Sequence, residues 1–107
     1  MMDYETKSDL FQMLSHPVRL QILDELRRRQ ACVCHLQAVT GRPQAYISQQ
    51  LRLLREAGLV ADEKDGQLVY YRLQNEEVNQ VLTQTLGAPE RPSHPADCPC
   101  PYCSGEL

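Results

Sequence analysis

The chain has 107 residues and a net charge of −3, enough for one small domain whose marginal core gains from dimerisation. No apolar run approaches the ~20 residues of a membrane helix, and the opening MMDYETKSDL lacks the charged and apolar regions of a signal peptide, so the reading is of a soluble cytoplasmic protein with no membrane partner. No nucleophile motif, glycine-rich phosphate loop or acid pair points to an enzyme. The acidic balance does not exclude nucleic acid, because the negative charge sits at the two ends. Residues 15–86 carry nine Lys/Arg against eight Asp/Glu.

Residues 4–14 place Tyr4, Leu10, Phe11 and Leu14 among polar residues, the pattern of a short amphipathic helix. A clearer helix opens at Pro17, which suits the first helical position, with Ser15 or His16 as cap and Val18, Ile22, Leu23 and Leu26 at helical spacing. Arg27, Arg28 and Arg29 meet the negative end of its dipole and read as a helix terminus rather than a DNA patch.

A short segment from Val33 to Val39 leads into TGRP, a tight turn, and from Pro43 to Ala57 the residues Ile47, Leu51 and Leu54 repeat at i, i+4, i+7 until Gly58 ends the run. Two helices joined by a short glycine-containing turn form a helix-turn-helix. The period then changes: Asp65-Gly66 is a two-residue hairpin turn, with Leu59-Val60 leading in and Leu68, Val69, Tyr70 and Tyr71 following, which predicts a β-wing. A last helix carries Val78, Val81, Leu82 and Leu86 on one stripe. After Gly87 five prolines rule out regular structure. The division is therefore a folded unit over 1–86 and an extended Pro/Cys-rich tail over 87–107.

In this order LSHPVRLQILDEL, CVCHL, ISQQLRLLREAGLV and DGQLVYYRL resemble the ArsR/SmtB family of winged-helix metal-sensing repressors, over roughly residues 10–86. The fold class expected is mainly α with a small β-hairpin wing. CVC points toward the arsenic-sensing and cadmium/lead-sensing branches. The resemblance implies a homodimer, joined through its first and last helices, that occupies operator DNA until its metal arrives.

With Ile47, Leu51 and Leu54 inward, a helical wheel turns Arg42, Ala45, Gln49, Arg52 and Glu56 outward, with Tyr46 and Ser48 on the flanks. Gln44, Gln49 and Gln50 can pair with adenine edges, while Arg42, Ser48 and Arg52 can reach phosphate or guanine. The wing's ADEKDG contributes Lys64 among three acids. Two such helices in a dimer would read an inverted repeat of double-stranded DNA with half-sites about 34–36 Å apart.

Five cysteines, Cys32 and Cys34 in one cluster and Cys98, Cys100 and Cys103 in another, suit a metal or redox site in a reducing compartment better than a disulfide framework. Residues i and i+2 of a helix differ by about 200°, so Cys32 and Cys34 should point apart while helical, and chelation of one ion by both should compete with the helix that docks on DNA. Switching a population needs a differential of ~5.5 kcal/mol, and thiolate coordination in small zinc sites supplies on the order of 10–16 kcal/mol.

The tail cysteines would complete the site. Cadmium/lead members of the family bring in N-terminal cysteines, absent here, and the tail takes their place. Three thiolates suit As(III) or Sb(III), the preferred inducer; four suit Cd(II), Pb(II) or Zn(II). His16 is expected to cap or pack, His35 to lie on a helix surface with a ligand role as the alternative, and His94 to stand in the tail as a spare ligand. Two rivals share the scaffold: a thiol redox or persulfide sensor using a Cys32 acidified by the helix N-terminus, and a plain repressor whose tail holds a structural zinc.

Overall fold

The computed structural model of the chain describes residues 3–89. Five helices and three strands follow in the order α1 (Tyr4–Leu14), α2 (Pro17–Arg28), β1 (Ala31–Cys32), α3 (Val33–Thr40), α4 (Gln44–Glu56), β2 (Val60–Asp65), β3 (Leu68–Leu73) and α5 (Glu76–Leu86). None of the described helices is long and apolar enough to cross a membrane.

Two of the helices start at a side chain that accepts from their exposed amides. Asp3 caps α1, its carboxylate accepting from the Glu5 amide, and Asn75 caps α5 by accepting from the Val78 amide. Pro17 opens α2 as expected, but neither expected capping side chain serves: His16 holds the N-cap position with its backbone alone. The arginines at the end of α2 are drawn inward. Arg27 Nε donates to Asp24 at 2.8 Å and its Nη1 donates to the Gly87 carbonyl at 2.8 Å, tying α2 to the end of α5. Arg28 donates to the same aspartate.

The apolar stripes meet in one core. Ile22 and Leu23 of α2, Leu36 of α3, Ile47, Leu51 and Leu54 of α4, and Val78 of α5 are all wholly buried. Each such side chain contributes roughly 1.5–3 kcal/mol on leaving water. The Val81 and Leu86 positions of the α5 stripe are less enclosed; Leu86 is exposed, as are Tyr4 and Phe11 of α1.

The wing forms with its register shifted by one residue from the expected turn. Asp65 pairs with Leu68, so the two-residue loop is Gly66-Gln67 rather than Asp65-Gly66. Gly66 takes the first loop position with φ +65°, a left-handed conformation that glycine adopts without steric cost and that matches a II′ hairpin. The sheet has a third member: β1 pairs antiparallel with β3, giving the order β1-β3-β2. Two residues are too few for a periodic signal, which is why Ala31 and Cys32 read as the approach to a helix.

Candidate functional site

α3 and α4 are joined by Gly41, Arg42 and Pro43, and the turn depends on Gly41, which closes α3 at φ +72° while its amide donates to the Gln37 carbonyl at 2.8 Å. This left-handed cap turns the chain sharply enough for α4 to pack across α3. The first turn of α4 holds no acid, so the positive end of its dipole is unopposed where a phosphate would approach.

Around that end the structure exposes Arg42, Gln44, Ser48, Gln49 and Arg52, five of the eight residues expected to contact DNA. Tyr46 is half-buried and acts on its neighbours. The Arg42 guanidinium lies 5.6 Å from its ring centre, and its hydroxyl lies 3.4 Å from His16 Nε2. His16 thus packs as expected and links the start of α2 to the N-terminal end of α4.

Gln50 is a correction: it is 7% exposed and faces the interior beside Leu51, so it cannot meet a base edge in this arrangement. The signal was available, since position 50 lies three residues after Ile47 and four before Leu54, on the apolar stripe itself.

Lys64 is exposed on β2, opposite Val69. Strand alternation puts it on the face away from Glu63 and Asp65, so the acids flanking it in sequence are not beside it in space. Arg55 of α4 donates to Asp62 of β2 at 2.9 Å, bracing the wing against that helix.

The thiols are arranged differently from expectation. Cys32 ends β1 and is the N-cap of α3, with extended φ −87° and ψ 171°, while Cys34 is the second residue inside α3. The 200° separation of a regular helix does not apply across that junction, and the two Sγ atoms stand 2.7 Å apart instead of on opposite sides. One ion bonded to both at ~2.3 Å needs them less than ~4.6 Å apart. The 2.7 Å separation lies within that limit, so the backbone already turns both thiols toward one point without any unwinding of α3.

Cys32 is 2% exposed, whereas Cys34 is half-buried and borders an open groove of about 540 Å³ lined by Gln37, Ala38, Gly41, Arg42 and Pro43. Among the described residues no third His, Cys, Asp or Glu joins them in a metal-binding group. The other expected ligands, Cys98, Cys100 and Cys103, and the spare ligand His94 lie outside the described residues.

His35, expected on a helix surface, is wholly buried, with Nε2 at 3.2 Å from Glu25 Oε2 of α2. The pair fastens α3 to α2. Glu25 falls on the stripe of Val18 and Ile22, a polar residue at a core position, and that was the sign of a buried partner.

Comparison with known proteins bears on the family and the fold. A family model described as bacterial regulatory protein, arsR family, matches residues 16–62. The chain is 36% identical to the arsenical resistance operon repressor of Bacillus subtilis, covering 88% of this chain and 97% of that protein. It is 39% identical to the HTH-type transcriptional regulator KmtR of Mycobacterium tuberculosis over 73% of its own length, but spans only 60% of that regulator. Among solved structures it is similar to the transcriptional repressor BigR from Xylella fastidiosa, with a TM-score of 0.71 at 32% identity, covering 78% of this chain and 89% of that one.

Proposed function

Because the chain belongs to the ArsR family of bacterial regulatory proteins, a family of DNA-binding regulators and not of enzymes, we propose that it is a repressor released from its operator by a thiophilic metal or metalloid ion. The observation that carries this reading is the 2.7 Å approach of Cys32 and Cys34 at the first residue of the helix-turn-helix. As(III) or Sb(III) is the preferred inducer, since three thiolates satisfy either, and the resistance repressor of Bacillus subtilis is named for arsenicals. The third sulfur is assigned to Cys98, Cys100 or Cys103. Cd(II), Pb(II) and Zn(II) need a fourth ligand from the same tail.

Operator contact is assigned to Arg42, Gln44, Ser48, Gln49 and Arg52 at the reading end of α4, with Tyr46 holding Arg42 in place and Lys64 reaching a phosphate from the wing. The functional unit is a homodimer. Tyr4 and Phe11 recur at seven-residue spacing on α1, and together with Leu86 of α5 they expose large apolar surface that a second copy would cover.

Ion coordination at the start of α3 works through position. The thiols give up their protons, an ion and its remaining ligand enter beside Cys34, and the groove toward Arg42 and Pro43 is where that ligand must pass. The reading elements are then displaced without melting α3.

The test is release of fluorescent operator DNA, followed by anisotropy, against arsenite, antimonite, Cd(II), Pb(II), Zn(II) and hydrogen peroxide. It compares the full chain, C32S/C34S and a chain ending at Leu86. Release by thiophilic ions that is lost in C32S/C34S is the expected result, and loss in the shortened chain assigns the remaining ligand to the tail. Release by peroxide alone would replace the metal reading with a thiol redox one. Unaltered ion response in C32S/C34S would remove the site.

A further inference from the structure

Cys32 does more than supply a ligand. Together with Tyr70, 4% exposed, it forms a small buried cluster separate from the main core, with Cys34 and Leu68 packed against it. The β-register explains the contact: Cys32 on β1 stands opposite Tyr70 on β3, and Tyr70 stands opposite Glu63 on β2. Directly opposed residues of antiparallel strands face the same side with Cβ atoms about 4.5–5.5 Å apart, so the three form one row across the sheet. Tyr70 is in the middle strand and is joined by backbone ladders to the thiol strand on one side and the outer wing strand on the other.

Interiors are packed to near-crystalline density, so an ion cannot be added at a thiol 2% exposed without moving what covers it. We propose that Tyr70 couples the thiols to the wing: its ring covers Cys32 in the operator-binding form, and is pushed aside when Cys32 takes an ion, shifting β3 and the hairpin that carries Lys64. This deepens the sensor reading and rests on it for the identity of the physiological trigger. Tyr70 is a positioning residue, acting on DNA only through the wing. The row also separates the roles of the two cysteines. Cys34, beside the groove, receives the ion first, and Cys32, beneath Tyr70, converts its arrival into movement of the sheet.

The experiment uses the full chain in two forms of measurement. In metal-free protein, the rate of Cys32 alkylation by iodoacetamide, read by peptide mass spectrometry, is expected to rise at least about ten-fold in Y70A and to stay within about two-fold of wild type in Y70F, which keeps the ring. In wild type, amide hydrogen exchange over residues 68–73 is expected to quicken at least about ten-fold once Cys32 is alkylated or the protein is loaded with arsenite, while α5 keeps its protection.

The second measurement needs no variant at Tyr70, so it stands even if Y70A folds poorly. Unchanged wing exchange after Cys32 is modified, or equal alkylation rates in wild type and a folded Y70A, would overturn the coupling. If the wing loosens on alkylation of Cys32 but no ion releases operator DNA from wild type, the coupling holds and the metal-sensor reading falls.

Discussion

The contact between Glu25 and His35 lends itself to a quantitative test, because both partners are interior and they join α2 to α3. His35 is wholly buried and the Glu25 side chain is 8% exposed, with 3.2 Å between Nε2 and Oε2. Removing one member of such a pair leaves a buried polar group behind and costs about 3–5 kcal/mol, whereas replacing both by apolar residues of similar volume is often neutral. At roughly 0.05–0.15 kcal/mol per residue a domain of this size holds about 4–13 kcal/mol in all. Either E25L or H35L alone should therefore consume a large share of the stability. For a domain of this length each kcal/mol moves the melting temperature by about 4–8 °C, so each single variant should melt roughly 12–40 °C lower at fixed protein concentration. E25L/H35L should recover to within about 1 kcal/mol of wild type, a coupling of at least about 5 kcal/mol in a double-mutant cycle. Thermal unfolding followed by circular dichroism measures all four proteins. Single variants that melt within about 4 °C of wild type, or a double variant whose loss equals the sum of the two, would refute the pair as a buried fastening.

Three further outcomes follow from the same geometry. R42A should weaken operator binding across sequences and lower the slope of log affinity against log salt by about 1, whereas Q50A should change melting temperature and leave base preference alone; anisotropy titrations over a salt series separate the two. Substituting Phe11, 56% exposed on α1, by glutamate should shift sedimentation equilibrium from dimer to monomer, and an unchanged association constant would place the dimer surface elsewhere. Asp3 has its pKa lowered, first by the hydrogen bond that the Thr6 hydroxyl donates and then by the Glu5 and Thr6 amides. A carboxylate depressed in the folded state stabilises above its unfolded pKa and loses that contribution as pH falls through the folded value, so the Glu5 amide resonance should show the start of α1 fraying in acid while the core stays intact.

Local rules made much of this protein legible in advance. Helical spacing in α2 and α4, the glycine-containing turn between α3 and α4 and the strand-forming run after Gly66 each depend on residues near one another in the chain, so their physics can be read along it. The same locality made the outward side of α4 readable. Where the reading failed, the deciding partner was distant in sequence. Gln50 and Glu25 carry polar side chains at core positions, and which way they turn is settled by what packs over them. His35 is interior because Glu25 waits for it on another helix. Above all, the orientation of Cys32 was set by pairing with Tyr70, a residue almost forty positions away, which extends the backbone and brings Cys32 Sγ beside Cys34. Composition and spacing determined that this chain would carry a pair of cysteines at the start of a helix-turn-helix. Only the tertiary structure, through a two-residue strand whose hydrogen-bonding partner lies in the wing, decided that both sulfurs face one point and that the wing is bound to them.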